Sequence, residues 1–232
     1  MVDVDKAVVA RLKIKGKNFE VLVDCDKAMD FRNGIGKIDD VLATTEIFKD
    51  VKIGERASEK DLEDIFGTND AYKIAERIVK EGEVQLTSEY RKKLKEEKKK
   101  QIINIISRNA VDPRTGLPHP PERIERAMDE ANVKIDEFRE AEEQIQEILS
   151  QLRPILPIKF EVWEVAVKIP PTYAAKSYNV LKNYGKLLKD EWQGDGSLIA
   201  IVEIPAGMQE SFFNELSKLC HGDVETKILK KK

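Results

Sequence analysis

Hydrophobic positions change period several times along this chain, and each change marks a new element. Residues 8–24 alternate as two strands, VVARLKI and NFEVLVD, around the turn Lys15-Gly16-Lys17. That alternation puts Phe19, Val21 and Val23 on one face and Glu20, Leu22 and Asp24 on the other. Asp26 is placed to cap a short helix that ends at Gly34. A second helix over 38–48 gathers Ile38, Val41, Leu42 and Thr45 on one side, with Phe48 at its end. A brief strand at 50–53 is expected before a helix that Ser58 starts and Gly67 stops. Thr68 starts the next helix, where Ala71, Ile74, Ala75 and Ile78 recur at three and four and Gly82 marks the end. GEVQL then returns as a strand and closes an α+β unit.

The stretch from Gly82 to Lys100 ends that unit and launches another. Thr87 or Ser88 can cap a long helix running to about Arg108. Its apolar stripe is Tyr90, Leu94, Ile102, Ile105 and Ile106, while Lys92, Lys95 and Lys99 share an arc outside it. The prolines between Pro113 and Pro121 force a loop, and Pro121 suits a helix start because its missing amide would have had no partner. Helices over 121–131 and 136–152 complete a three-helix bundle, with Phe138 expected among the core side chains. Pro154 and Pro157 end it. The remainder reads strand, helix, strand, strand, helix, strand, with Gly194-Asp195-Gly196 turning the middle hairpin. That is the βαββαβ order of a ferredoxin-like domain. The expected architecture is a multidomain α+β protein: 1–86 an N-terminal α+β domain, 87–157 a central three-helix bundle of winged-helix-like character, and 158–232 a ferredoxin-like domain.

Composition fits a folded soluble chain, with 41% hydrophobic and 36% charged residues. No run approaches a membrane span, and acids stand where a signal peptide would be basic, so a cytoplasmic location and no membrane partner are expected. Cys25 and Cys220 lack metal-ligand spacing and are expected to be free thiols. A net charge of -3 argues against a global positive field. Basic residues instead cluster locally. Seven of the ten residues from Arg91 to Lys100 are basic, either a solvated helix face or a contact to a polyanion. Lys15 and Lys17 sit on a hairpin tip, and Arg32 and Lys37 flank Gly34-Ile35-Gly36. That segment lacks both the dinucleotide-binding and the phosphate-loop spacing, so no nucleotide cofactor is implied. His119 and His221 neighbour no second metal ligand, and no catalytic signature appears. Scattered carboxylates leave a metal-dependent nuclease as a rival class.

Three stretches together, VVARLKIKGKNFEVL, FGTNDAYKIAERIVKEGEVQLT and VDPRTGLPHPPERIERAM, resemble the Shwachman-Bodian-Diamond syndrome protein family of ribosome maturation factors. The resemblance covers essentially the whole chain, and its length looks like that of an archaeal member. It implies an adaptor, not an enzyme and with no cofactor, expected as a monomer, that binds large-subunit rRNA. With an elongation-factor-like GTPase it would release an anti-association factor. An RNA-processing or exosome-associated adaptor is the alternative. By resemblance Arg11, Lys15, Lys17 and Arg32 fall in N-terminal motifs and are rRNA candidates. Lys37 joins them beside the glycine turn. Phe31 stands where related proteins often have Trp. Arg123 and Arg126 lie in the ERIERAM segment, where phosphate contacts or ion pairs with Glu122 and Glu125 are both open. Lys92, Lys95 and Lys99 rest on the helical arc alone. Joints at 86–88 and 154–157 are expected to let the end domains reorient.

Overall fold

The computed structural model describes residues 3–232. Residues 1 and 2 of the expected first domain lie outside the described residues. The chain divides into two compact units, Met1–Leu94 and Lys95–Lys232.

In the first unit, β1 (Val8–Ile14) and β2 (Lys17–Val23) form the expected hairpin. β3 (Phe48–Asp50), β4 (Glu55–Arg56) and β5 (Glu83–Val84) extend it to an antiparallel sheet ordered β4-β3-β2-β1-β5. Helices α1 (Cys25–Arg32), α2 (Ile38–Val41), α3 (Glu59–Phe66) and α4 (Ala71–Glu81) complete it. Phe19, Val21, Val23, Ile74, Ala75 and Ile78 are at most 1% exposed and form the middle of the core. Asp24, not Asp26, caps α1 by accepting from the Lys27 amide at 3.0 Å. α2 is a single turn, not the expected helix over 38–48. The Leu42 backbone bridges Val23 and the Ala43 amide donates to Leu22 O, so pairing with β2 captures the segment. The β-branched Thr44 and Thr45 favour that outcome. Phe48 consequently begins a strand.

Glu20 lies on the face the alternation left to solvent, yet it is 1% exposed. One carboxylate oxygen accepts from Arg11 Nε at 2.5 Å and the other from the Val51 amide at 2.8 Å. Truncation as Glu20→Ala should cost about 1–3 kcal/mol, because the Val51 amide and a half-exposed guanidinium lose their acceptor. Chemical denaturation of the two proteins checks it.

The second unit contains most of α5 (Ser88–Asn109), then β6 (Ala110–Val111), α6 (Pro121–Glu130), α7 (Ala141–Leu152) and β7 (Lys159–Phe160). Ile102, Ile103 and Ile106 of α5 pack with Ile124, Ala127 and Met128 and with Ile145, Ile148, Leu149 and Leu152. Helix α7 starts five residues later than expected. Buried Gln144 accepts from the Asp136 amide and donates to the Asp136 and Arg139 carbonyls. Those bonds wrap 136–140 into a loop, which leaves Phe138 64% exposed instead of in the core.

The remainder is the ferredoxin-like sandwich: β8 (Val162–Ile169), α8 (Pro171–Tyr184), β9 (Lys186–Trp192), β10 (Leu198–Pro205), α9 (Gln209–Leu219) and β11 (Glu225–Lys231). Its sheet is antiparallel, ordered β11-β8-β10-β9. Phe212 and Leu216 fill its core beside the free thiol of Cys220, and Cys25 is a buried free thiol in the first unit.

The bundle and the sandwich are knitted together rather than loosely joined at Pro154–Pro157. β6 pairs with β7, and Val111 is buried in the sandwich core. His119, 2% exposed, donates from Nε2 to Pro157 O at 2.7 Å. Gln209 Nε2 donates to Gly116 O at 2.7 Å. Gly207 lies so close to α5 that an added Cβ would run into the Ser107 and Arg108 carbonyls. Asp112 begins the loop crossing this seam, and the Arg114 amide, donating to its carboxyl at 2.8 Å, holds that carboxyl below the usual carboxylate range. A carboxyl depressed in the folded state stabilises above its unfolded value, about pH 3.9, and that stability is lost as pH falls through the folded value. Melting curves of wild type and Asp112→Asn should therefore differ at neutral pH, begin to approach each other below about pH 4 and converge only once pH has fallen through the lower folded value.

Candidate nucleic-acid interface

In the first unit the β1–β2 turn puts both of its residues in the left-handed region, Lys15 at φ 48° and Gly16 at φ 80°. Such a two-residue turn matches the twist of the flanking strands. It holds Lys15 exposed at the tip. Lys17, just behind it, reaches Asp61 Oδ1 at 2.6 Å, an exposed pair that keeps the Asp61 carboxyl below its ordinary value. Lys37 is exposed at the start of α2, and Lys92 is exposed on α5. Among the described residues, no carboxylate pairs with Lys15, Lys37 or Lys92.

Two candidate arginines of this unit, Arg11 and Arg32, are committed elsewhere. Arg11 holds Glu20, as described above. Arg32, at the end of α1, donates from Nε to Val79 O at 2.6 Å and from a terminal nitrogen to Gly82 O, tying α1 to the end of α4. Phe31 is 9% exposed, and Lys80 Nζ covers its ring at 5.1 Å from the centroid. A ring so placed offers no face to a base.

In the second unit Lys99 is also occupied. Its side chain is 17% exposed, and its ammonium meets Asp129 at 2.7 Å and Glu125 at 3.2 Å. Burial alone would pull its pKa down, but the hydrogen bonds to those carboxylates outweigh burial and raise it. Lys95 lines a cavity of about 240 Å³ with Glu96, Lys99, Met128, Asp129, Val133 and Ile135, and forms no salt bridge with either acid. Arg123 and Arg126 project from α6 with no carboxylate partner among the described residues, Glu125 being taken by Lys99. The sequence candidates thus fall into three classes. Arg11, Arg32 and Lys99 brace the fold, Lys17 is shared with Asp61, and Lys15, Lys37, Lys92, Lys95, Arg123 and Arg126 present unpaired positive charge. Cations without a carboxylate partner can hold phosphates by charge without reading sequence.

Sequence reasoning passed over the lysines on β9 and β11. The closing ILKKK run was the available signal. Among the described residues, no cluster of three or more His, Cys, Asp or Glu side chains is arranged to hold a metal ion, and no helix is long and apolar enough to cross a membrane.

Three family models match in order along the chain. They are the Shwachman-Bodian-Diamond syndrome (SBDS) N-terminal domain over 6–92, SBDS protein domain II over 100–161 and the SBDS protein C-terminal domain over 163–231. A ribosome maturation protein SDO1 homolog from Methanothermobacter thermautotrophicus is 47% identical over 232 residues, covering 99% of this chain and 100% of that protein. Its namesake from Aeropyrum pernix is 41% identical over 224 residues, 96% of each chain. The ribosome maturation protein SBDS of Homo sapiens is 28% identical over 220 residues, 94% of this chain and 86% of that protein. With its three domains matched in sequence order and a 47% identical relative spanned end to end, the chain belongs to the Shwachman-Bodian-Diamond syndrome protein family, as an archaeal-type member.

Proposed function

We propose that this chain is a ribosome maturation factor that binds rRNA of the large subunit as a monomer in the cytoplasm. The observation that carries the reading is full-length similarity to proteins named for ribosome maturation, at 47% and 41% identity. Its finer content follows the family expectation. The chain positions itself on the subunit and, with an elongation-factor-like GTPase, promotes release of an anti-association factor so that subunits can join. The GTPase performs the hydrolysis, and this chain is not itself an enzyme. Three functional domains, 1–86, 87–157 and 158–232, share the work.

Within that reading Lys15, Lys17, Lys37, Lys92, Lys95, Arg123 and Arg126 contact phosphates, while Arg11, Arg32 and Lys99 keep the presenting elements in place. The test is sedimentation of the chain with purified large subunits, with and without the anti-association factor, the GTPase and GTP. The chain should pellet with subunits, and the bound factor should leave only when chain, GTPase and GTP are all present. Release by the GTPase alone would reject the adaptor role. Equal affinity for free single-stranded RNA and for subunits would favour an RNA-processing adaptor instead.

A further inference from the structure

The ferredoxin-like sheet packs one face against α8 and α9, where Val165, Val167, Ala200 and Val202 are at most 1% exposed. Its other face is open. Strand register lays that face out in rows, because residues directly opposite in an antiparallel pair share a side. One row reads Lys227, Ala166, Ile201, Lys189 from β11 to β9. The next reads Lys230, Glu164, Glu203, Lys186, and the row on the other side reads Glu225, Lys168, Ile199, Glu191.

Both edge strands carry a bulge between the Lys227–Lys189 row and the Lys230–Lys186 row. Leu229 is skipped in the pairing of β11 with β8, and Leu188 in that of β9 with β10. An extra residue shifts every later side chain to the opposite face. The two bulges therefore bring Lys230 and Lys186, each three residues from its neighbour in the middle row, onto the same face as Lys227 and Lys189.

The acids on this face are largely answered from within. Lys232 Nζ meets Glu164 at 2.5 Å and Glu203 at 3.0 Å, and Lys168 meets Glu225 at 3.3 Å. Lys189 reaches only Glu191, at 3.7 Å. Among the described residues, no carboxylate forms a salt bridge with Lys186, Lys227 or Lys230, though Glu164, opposite Lys230, feels its charge. What remains is an aliphatic floor of Ala166, Ile199 and Ile201, with Ile199 38% exposed, between two lysine-bearing edges.

We propose that this open sheet face docks an amphipathic helix of a partner protein, its apolar stripe lying over Ala166, Ile199 and Ile201 and its acidic flanks meeting Lys186, Lys189, Lys227 and Lys230. The edge strands lie three strand spacings apart, about 14 Å. A helix with its side chains is ~10–12 Å wide and fits between them. Sheets that bind RNA this way stack bases on aromatic rings of their central strands, and here the corresponding floor is aliphatic. This inference does not depend on the ribosomal reading.

The probe is a labelled synthetic helix of about eighteen residues, five turns, with leucines at helical spacing and glutamates on both flanks. Its control carries lysines in place of the glutamates. Anisotropy with the full chain should show the acidic helix binding at least about tenfold more tightly than the control, as fits opposite charges at an interface rim. The double variant Lys189→Glu, Lys227→Glu, checked for an unchanged melting point, should abolish that preference. Amide shifts in the wild type should concentrate on β8, β9, β10 and β11. Equal binding of the two helices, no binding at millimolar peptide, or a preference that survives the double reversal would each overturn the proposal. So would displacement of the acidic helix by a short RNA duplex whose own binding the double reversal removes, since the face would then be a nucleic-acid surface.

Discussion

Reversing Lys15, Lys37 and Lys92 to glutamate together is expected to lower affinity for purified large ribosomal subunits at least ~100-fold while leaving the melting point unchanged. All three are exposed and none has a carboxylate partner among the described residues. Surface changes of that kind usually move stability by no more than about 0.5 kcal/mol each. Binding responds differently. Each lost phosphate contact forfeits counterion release, and each added carboxylate repels the same phosphate. Arg32 does not belong in this variant. Its guanidinium holds the Val79 and Gly82 carbonyls, so Arg32→Glu should lower the melting point of the first unit and confound a binding assay. A triple variant that binds subunits as the wild type does would remove these three side chains as the dock.

The largest effect on stability is expected at Gly207. Any side chain there meets the Ser107 and Arg108 carbonyls, which are fixed by the end of α5 and have no rotamer to yield. Gly207→Val should therefore cost about 3 kcal/mol or more, the upper range for overpacking. For a body of this size that lowers the melting point by roughly 6–12 °C. Gly194, with open space around it and no positive φ, is the control, and Gly194→Ala should stay within about 0.5 kcal/mol of wild type. Hydrogen exchange locates the damage. Protection should fall in the last turns of α5, in β6 and in α9, and should hold in β1 and β2. An unaltered Gly207→Val protein would mean that the seam between bundle and sandwich is loose.

Elements with strong period and clear caps were legible in the sequence. α3 starts at Ser58 and stops at Gly67, α4 carries its apolar repeat, and the C-terminal βαββαβ order holds throughout. The failures have a common cause, which is tertiary pairing overriding local pattern. The segment 42–48 has a helical repeat, but β2 offered its backbone a partner. The segment 136–140 reads as helix until one buried amide, Gln144, collects its backbone groups. The candidate site was legible as a set of basic residues but not as roles. Nothing in the spacing of Arg11 or Arg32 shows that one meets a buried Glu20 and the other two carbonyls 47 and 50 residues away. Nor does any motif mark Leu188 and Leu229 as bulges, since a bulge exists only relative to its partner strand.

The central claim is that positive side chains place this chain on folded rRNA through its phosphates, and the salt dependence of large-subunit binding tests it most directly. Affinity of the wild type should fall steeply and linearly on a log-log plot against salt. The triple reversal of Lys15, Lys37 and Lys92 should flatten that slope by about 2–3, close to one for each contact removed. Binding indifferent to salt, or identical slopes for the two proteins, would contradict it.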